Sequence, residues 1–195
     1  MLAMAPAWTK RHWAALAVTA IAVGMVLSTR LEGRVWFCEC QTFLFWIADA
    51  NSSHTSQHLL DPYSLTHFQH GLIFYWALAW LVPRWSWQAR LVAATAGEAL
   101  WEITDNTEFV INRYREATAA LGYTGDSVVN SLGDLLACVA GFAVAGKIGR
   151  RWTAALFFGI EAGLLVWIRD SLLLNCLMLF WPVEAIKEWQ TAGQA

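Results

Sequence analysis

The chain has 195 residues and a formal net charge of −2, with 57% hydrophobic and 14% charged residues. Soluble domains carry about 25% charged residues, so this chain lacks the polar surface for a water-facing exterior, and its mean hydropathy of +0.42 agrees. Near-neutral charge excludes a nucleic-acid-binding surface, 13 Trp and 10 Phe exclude disorder, and four Cys are too few for a disulfide scaffold.

What remains is an all-α polytopic transmembrane helical bundle: a single integral membrane domain over 1–195, set in a lipid bilayer. A spanning helix needs about 20 mostly apolar residues. The first stretch is 13–28 (WAALAVTAIAVGMVLS), preceded by Lys10 and Arg11; a cleaved signal peptide is its rival reading. A loop over 29–65 follows, carrying Cys38 and Cys40 (WFCEC), His54, His58 and Asp61. A lone C-x-C leaves a disulfide, a metal site and free thiols all open.

The second span, 66–82, stops at Pro83-Arg84 and carries His67 and His70 on one face, with Gly71 beside them for close helix approach. The third, 91–111, carries Glu98, Glu102 and Asp105 at i, i+4, i+7, one stacked stripe that Asn112 continues. The fourth, 127–146, follows Asp126 and carries Asn130 and Asp134 at the same spacing before turning small and apolar (CVAGFAVAG). The fifth, 152–168, closes at Arg169-Asp170. Segment 171–190, broken by Pro182, is either a half-helix leading to an interfacial piece or a sixth span. Cys138 and Cys176 read as small core residues. Trp36, Trp46, Trp85, Trp87, Trp152, Trp181 and Trp189 fall near span ends, as interfacial anchors do.

Lys10, Arg11 and the Lys147, Arg150, Arg151 run favour a cytoplasmic N-terminus. In that orientation His67, His70, Asp105, Asp126 and Arg169 share the outer end of the bundle, and Glu102 lies ~15 Å below Asn112 at ~1.5 Å per residue. The polar residues thus describe a funnel open to the outer, periplasmic side. An ionisable group inside a span costs about 2.5–3.5 kcal/mol, so a cluster of them points to function. Glu98, Glu102, Asp105, Asp126, Asn130 and Asp134 are the candidate acid–base groups. His67, His70 and Glu102 suit a divalent metal ion. Arg113, Arg115, Arg169, Asp170 and Asn175 at the rim suit substrate binding. The plainer reading pairs the acidic stripe with Arg113, Arg115 or Arg169 to hold helices together.

The blocks WFCEC, SQHLLDPYSLTHFQHGLIFYW, EALWEITDN, INRYREATAALGYTGDSVVNSLGDLLACVAGF, IRDSLLLN and PVEAIKEWQ resemble a family of small bacterial inner-membrane proteins known only as a domain of unknown function. The likeness runs from about Gly33 to Gln190, and GDSVVNSLGD and RYREAT are its most specific parts. The chain departs from the family pattern at Gln41, at His54-Thr55 and at Pro62. More distantly, the His-bearing, acidic and D-x-x-x-N-x-x-x-D helices resemble VanZ-like membrane proteins. The resemblance implies a multi-pass protein of the bacterial inner membrane and supplies no reaction. Three functions are expected, in this order. The first is a membrane-embedded enzyme acting on a lipid-linked or amphipathic substrate. A non-enzymatic subunit or assembly factor beside other membrane protein subunits comes second, and a transporter or lipid-binding protein third.

Overall fold

The computed structural model describes residues 7–120 and 122–192, with side chains from His12 onward. The side chains of Lys10 and Arg11 therefore lie outside the described residues. Seven helices make up the described chain, which contains no strand. They are α1 (Ala7–Leu31), α2 (Ser64–Leu81), α3 (Trp87–Asp105), α4 (Glu108–Ala117), α5 (Val128–Ile168), α6 (Leu172–Phe180) and α7 (Glu184–Thr191). Two stretches are long and apolar enough to cross a membrane, His12–Leu31 in α1 and Val128–Ile168.

α5 holds both the fourth and the fifth predicted spans. Gly149 breaks it at φ 75°, ψ 165°, a conformation open to glycine but not to side-chain-bearing residues. Contacts on either side show that the chain reverses there. A Cβ at Gly141 would strike the Phe68 carbonyl, while the neighbouring Gln69 donates from Nε2 to the Phe157 carbonyl at 3.1 Å. In a straight helix Gly141 and Phe157 would stand ~24 Å apart at ~1.5 Å per residue. They instead meet adjacent residues of α2, so α5 is a helical hairpin with α2 against both arms. α3 lies beside α2 and the first arm, and α1 covers α3 through Met25, Ala99 and Leu135.

The third predicted helix, 91–111, is shorter at its far end. The Ser86 hydroxyl accepts from Ala89 and starts α3 early; at the other end Asn106 leaves the helix. The Asn106 side chain turns back to the Glu102 carbonyl at 3.0 Å, and the Thr107 hydroxyl caps a new helix, α4. Asn112 consequently sits exposed on α4, off the acidic stripe. The C-terminal segment is two short helices rather than one continuous helix. α6 has nine residues, about 14 Å of helix against a hydrocarbon core of about 30 Å, and Pro182 separates it from α7. Cys138 is fully buried, but Cys176 is exposed because α6 turns that face outward.

Several polar side chains are fully buried while large apolar ones cover the exterior. Gln69, Glu98, Glu102 and Asn106 are 0% exposed, while Trp80, Phe109 and Val166 are 80%, 81% and 87% exposed. All seven tryptophans placed near span ends by sequence are exposed.

Candidate functional site

The helical period of α2, α3 and α5 sets the site. His67 and His70 project from α2 onto Glu98 and Glu102 of α3, while Asp134 approaches from the first arm of α5. His67 Nδ1 lies 2.6 Å from Glu98 Oε1 and 3.1 Å from Glu102 Oε1. His70 Nδ1 lies 3.0 Å from Glu98 Oε2, and His67 Nε2 lies 4.0 Å from Asp134 Oδ2. Two overlapping donor sets follow, His67–His70–Glu98 and His67–Glu102–Asp134, each compact enough to hold a metal ion. Glu98 takes the close contact with His67. Neither oxygen of the fully buried Glu102 has a hydrogen-bond partner among the described residues, nor has Asp134 Oδ1.

A second polar layer adjoins this one. Tyr123 Oη lies 3.1 Å from Asp105 and 3.0 Å from Asp126. Asn106 donates to Asp126 Oδ2 at 3.1 Å and accepts from the Asp126 amide at 2.7 Å. Asn106 stands four residues beyond Glu102, so the strict i, i+4, i+8 series from Glu98 would have revealed it. The ring of Tyr114 packs on Tyr123, and its hydroxyl donates to Asn175 Oδ1 at 3.1 Å. Asn175 in turn donates to Asp170 at 3.4 Å, where Tyr63 also donates at 3.3 Å. Asp170 and Asn175 thus meet each other directly, and each also takes a tyrosine, Tyr63 or Tyr114, that the sequence alone does not single out. Glu161 was passed over too, having no charged neighbour at helical spacing. It accepts from Gln69 at 2.9 Å and from the α6 amides of Leu172 and Leu173.

The expected arginines are elsewhere. Arg113 donates to the Leu179 carbonyl, Arg115 to that of Tyr123 and Arg169 to that of Trp189. Every ion pair among the described residues joins a histidine to a carboxylate. The alternative in which arginines neutralise the acidic stripe therefore finds no support in the geometry.

The end of the polar cluster beside the start of α5 is covered by the loop. The first amides of the α5 hairpin need acceptors, and the loop supplies them: Ser127, Val128 and Val129 donate to the carbonyls of Ser56, Val35 and Trp36. Asn130, expected among the catalytic groups, donates to the His58 carbonyl at 2.9 Å. Gly133 lies so close to the Leu59 carbonyl that a Cβ has no room. The buried Asp61 accepts from the Ser56 and Tyr63 amides and shapes the turn into α2. The histidines are the most exposed part of the inner cluster: the His67 and His70 side chains are 11% and 15% exposed, that of Asp134 4%, and those of Glu98 and Glu102 0%.

Within that cover Cys38 and Cys40 meet His54 and His58. Both cysteines are free thiols. Cys38 Sγ lies 3.5 Å from His54 Nδ1, Cys40 Sγ 3.8 Å from His58 Nε2, and the two ring nitrogens 3.2 Å apart.

Comparison with known proteins gives a family and no activity. A family model described as "Protein of unknown function (DUF2585)" matches residues 29–192. A UPF0314 protein of Sphingopyxis alaskensis is 47% identical over 163 residues, covering 83% of this chain and 86% of its own. The UPF0314 protein R03235 of Rhizobium meliloti is 45% identical, covering 91% and 88%. A Paracoccus denitrificans UPF0314 protein is 43% identical, covering 93% and 92%. No solved structure matches the chain. Matched from the end of α1 through α7, the chain belongs to the DUF2585 family of proteins of unknown function.

Proposed function

We infer that the protein is a multi-pass inner-membrane enzyme whose reacting centre is the His67, His70, Glu98, Glu102 and Asp134 cluster. Its substrate is amphipathic or lipid-linked. The observation that carries this reading is Glu102, a fully buried carboxylate with no hydrogen bond to either oxygen among the described residues, its charge met there by His67 at 3.1 Å, a histidine that Glu98 holds more closely. A structural carboxylate at such depth is normally hydrogen-bonded at both oxygens, because leaving buried carboxylate oxygens unanswered costs free energy. Glu102 instead faces His67 and Asp134, and a divalent cation or a proton in transit meets that demand. The large apolar side chains on the exterior support the membrane setting. The histidine edge between α2 and α3, being the exposed part of the cluster, supports entry from the bilayer rather than through the covered outer end. Arg113, Arg115 and Arg169 act in this reading as anchors of the rim.

The test uses purified protein in detergent, a total polar-lipid extract of bacterial inner membranes, and mass spectrometry of the lipids. Wild type converts a lipid of the extract, and Glu102→Gln, equally stable to heat, does not. Wild type with manganese or zinc bound in near-stoichiometric amount, lost in both His67→Ala and Glu102→Ala, identifies the metal-dependent form. An unchanged extract, or full conversion by Glu102→Gln, overturns the enzyme reading. The covered outer end and the exposed Trp80, Phe109 and Phe180 favour a second reading, a subunit packed against other membrane proteins. A stoichiometric complex from native membranes together with an unchanged lipid extract supports it.

A further inference from the structure

The loop over 32–63 is long, and among its described residues it has neither helix nor strand, only turns and one bridge between Trp46 and Leu60. Long structureless segments in compact domains are uncommon and need something to hold them. This one is nonetheless placed firmly, because its carbonyls must stay on the amides of Ser127, Val128 and Val129. The side chains gathered at its centre are Cys38, Cys40, His54 and His58, whose donor atoms all lie within 4.8 Å of one another.

We propose that Cys38, Cys40, His54 and His58 form a tetrahedral zinc site that clasps the loop over the buried cluster. Zinc bonds of ~2.3 Å to sulfur and ~2.0–2.1 Å to nitrogen, at tetrahedral angles, set nitrogen–nitrogen edges near ~3.3 Å and sulfur–nitrogen edges near ~3.6 Å. Three of the six edges are 3.2 Å between the rings and 3.5 and 3.8 Å between sulfur and nitrogen, and the rest are within 4.8 Å. Two thiolates and two neutral imidazoles select zinc over harder cations, and their charge cancels that of the ion. Four protein donors leave no open position, so the site is structural rather than catalytic. Burial, then the neighbouring His54, pushes His58 below the ordinary imidazole range and favours its neutral, ligating form.

One contact changes on loading. The Leu44 amide donates to His58 Nδ1 at 3.2 Å; with zinc on Nε2 that nitrogen carries its own proton, and the Leu44 amide turns away. Because α5's first amides depend on the same loop, the clasp fixes both the cover and the start of the hairpin. The proposal is independent of any reaction at Glu102.

The test titrates the purified full chain with Co²⁺ and then displaces it with Zn²⁺. One equivalent of cobalt gives a thiolate-to-cobalt charge-transfer band, which carboxylate and imidazole ligands alone do not produce. Outer-shell changes at metal sites already cost about 10–100-fold in affinity, so Cys40→Ser and His54→Ala each weaken binding at least that much. His67→Ala and Glu102→Ala keep the band, which separates this site from the inner cluster. Absence of the band in wild type, or its persistence in Cys40→Ser, overturns the proposal. Wild type supplies a second measurement that needs no variant. Maleimide modification of the exposed Cys40, read by peptide mass spectrometry, is blocked by zinc and restored by a chelator. Equal modification with and without zinc also overturns it.

Discussion

At Cys40 the hydrogen bond with Cys38, then those with Thr42, draw the thiol down from the ordinary range to about 7. A lowered thiol is deprotonated above that value, so in chelator-treated protein its alkylation rate rises with pH and is half-maximal near pH 7, where an ordinary thiol reaches that point near about 8.5. Asn106 is the other residue whose loss has a defined cost. Asn106→Ala strips the Asp126 amide of its acceptor and both Asp126 and the Glu102 carbonyl of a donor. Buried groups left unpaired cost about 1–3 kcal/mol, read as a lower midpoint of thermal unfolding in detergent. Residues such as His67, His70, Glu98 and Glu102 were legible because helical spacing puts them on one face before any tertiary contact is known. His54 was not, because it reaches Cys38 through an irregular loop that no period describes.

Among the elements, α2 and α5 approach through glycine. A Cβ at Gly71 would strike the Cys138 carbonyl, and one at Gly141 the Phe68 carbonyl, so backbone rather than side chain blocks the space. Gly71→Ala is therefore expected to destabilise by about 1–3 kcal/mol, the usual cost of overpacking. Gly163, helical and with open space about it, gives the opposite sign: Gly163→Ala gains up to about 1 kcal/mol from helix propensity. Thermal midpoints of the two variants should move in opposite directions. The apolar runs made the hairpin arms readable as separate elements, since 127–146 and 152–168 flank the charged Lys147–Arg151 turn. The end of α3 was unreadable because Asn106 leaves the helix for Asp126, a partner 20 residues on.

For the whole molecule, the length of one α5 arm decides what lies on which side. From Val128 to Gly149 the arm rises ~31 Å at ~1.5 Å per residue, about the thickness of the hydrocarbon core. The loop with Cys40 packs on the start of that arm, so in the proposed membrane reading the Lys147–Arg151 turn lies at the opposite face. An impermeant maleimide is expected to label Cys40 from one face of sealed vesicles and a Lys147→Cys variant from the other; labelling of both from one face would remove the transmembrane arrangement. An apolar exterior was legible in composition alone. The closure of the funnel was not, since it depends on loop carbonyls meeting helix amides, and backbone groups carry no sequence signature.

The wedging of α2 between the two arms of α5 also orders events in time. Gln69 finds its partners at Phe157 and Glu161, roughly 90 positions further along the chain. When α2 leaves the ribosome those acceptors do not yet exist, and its amide and histidines enter their surroundings unanswered. Gln69 can be satisfied only after the second arm of α5 has been made and folded back at Gly149. Gln69 is therefore answered late in biogenesis, whereas the histidines meet Glu98 once α3, about 30 residues on, has been made; a nascent chain halted before the second arm would present the Gln69 amide to whatever insertion machinery holds it.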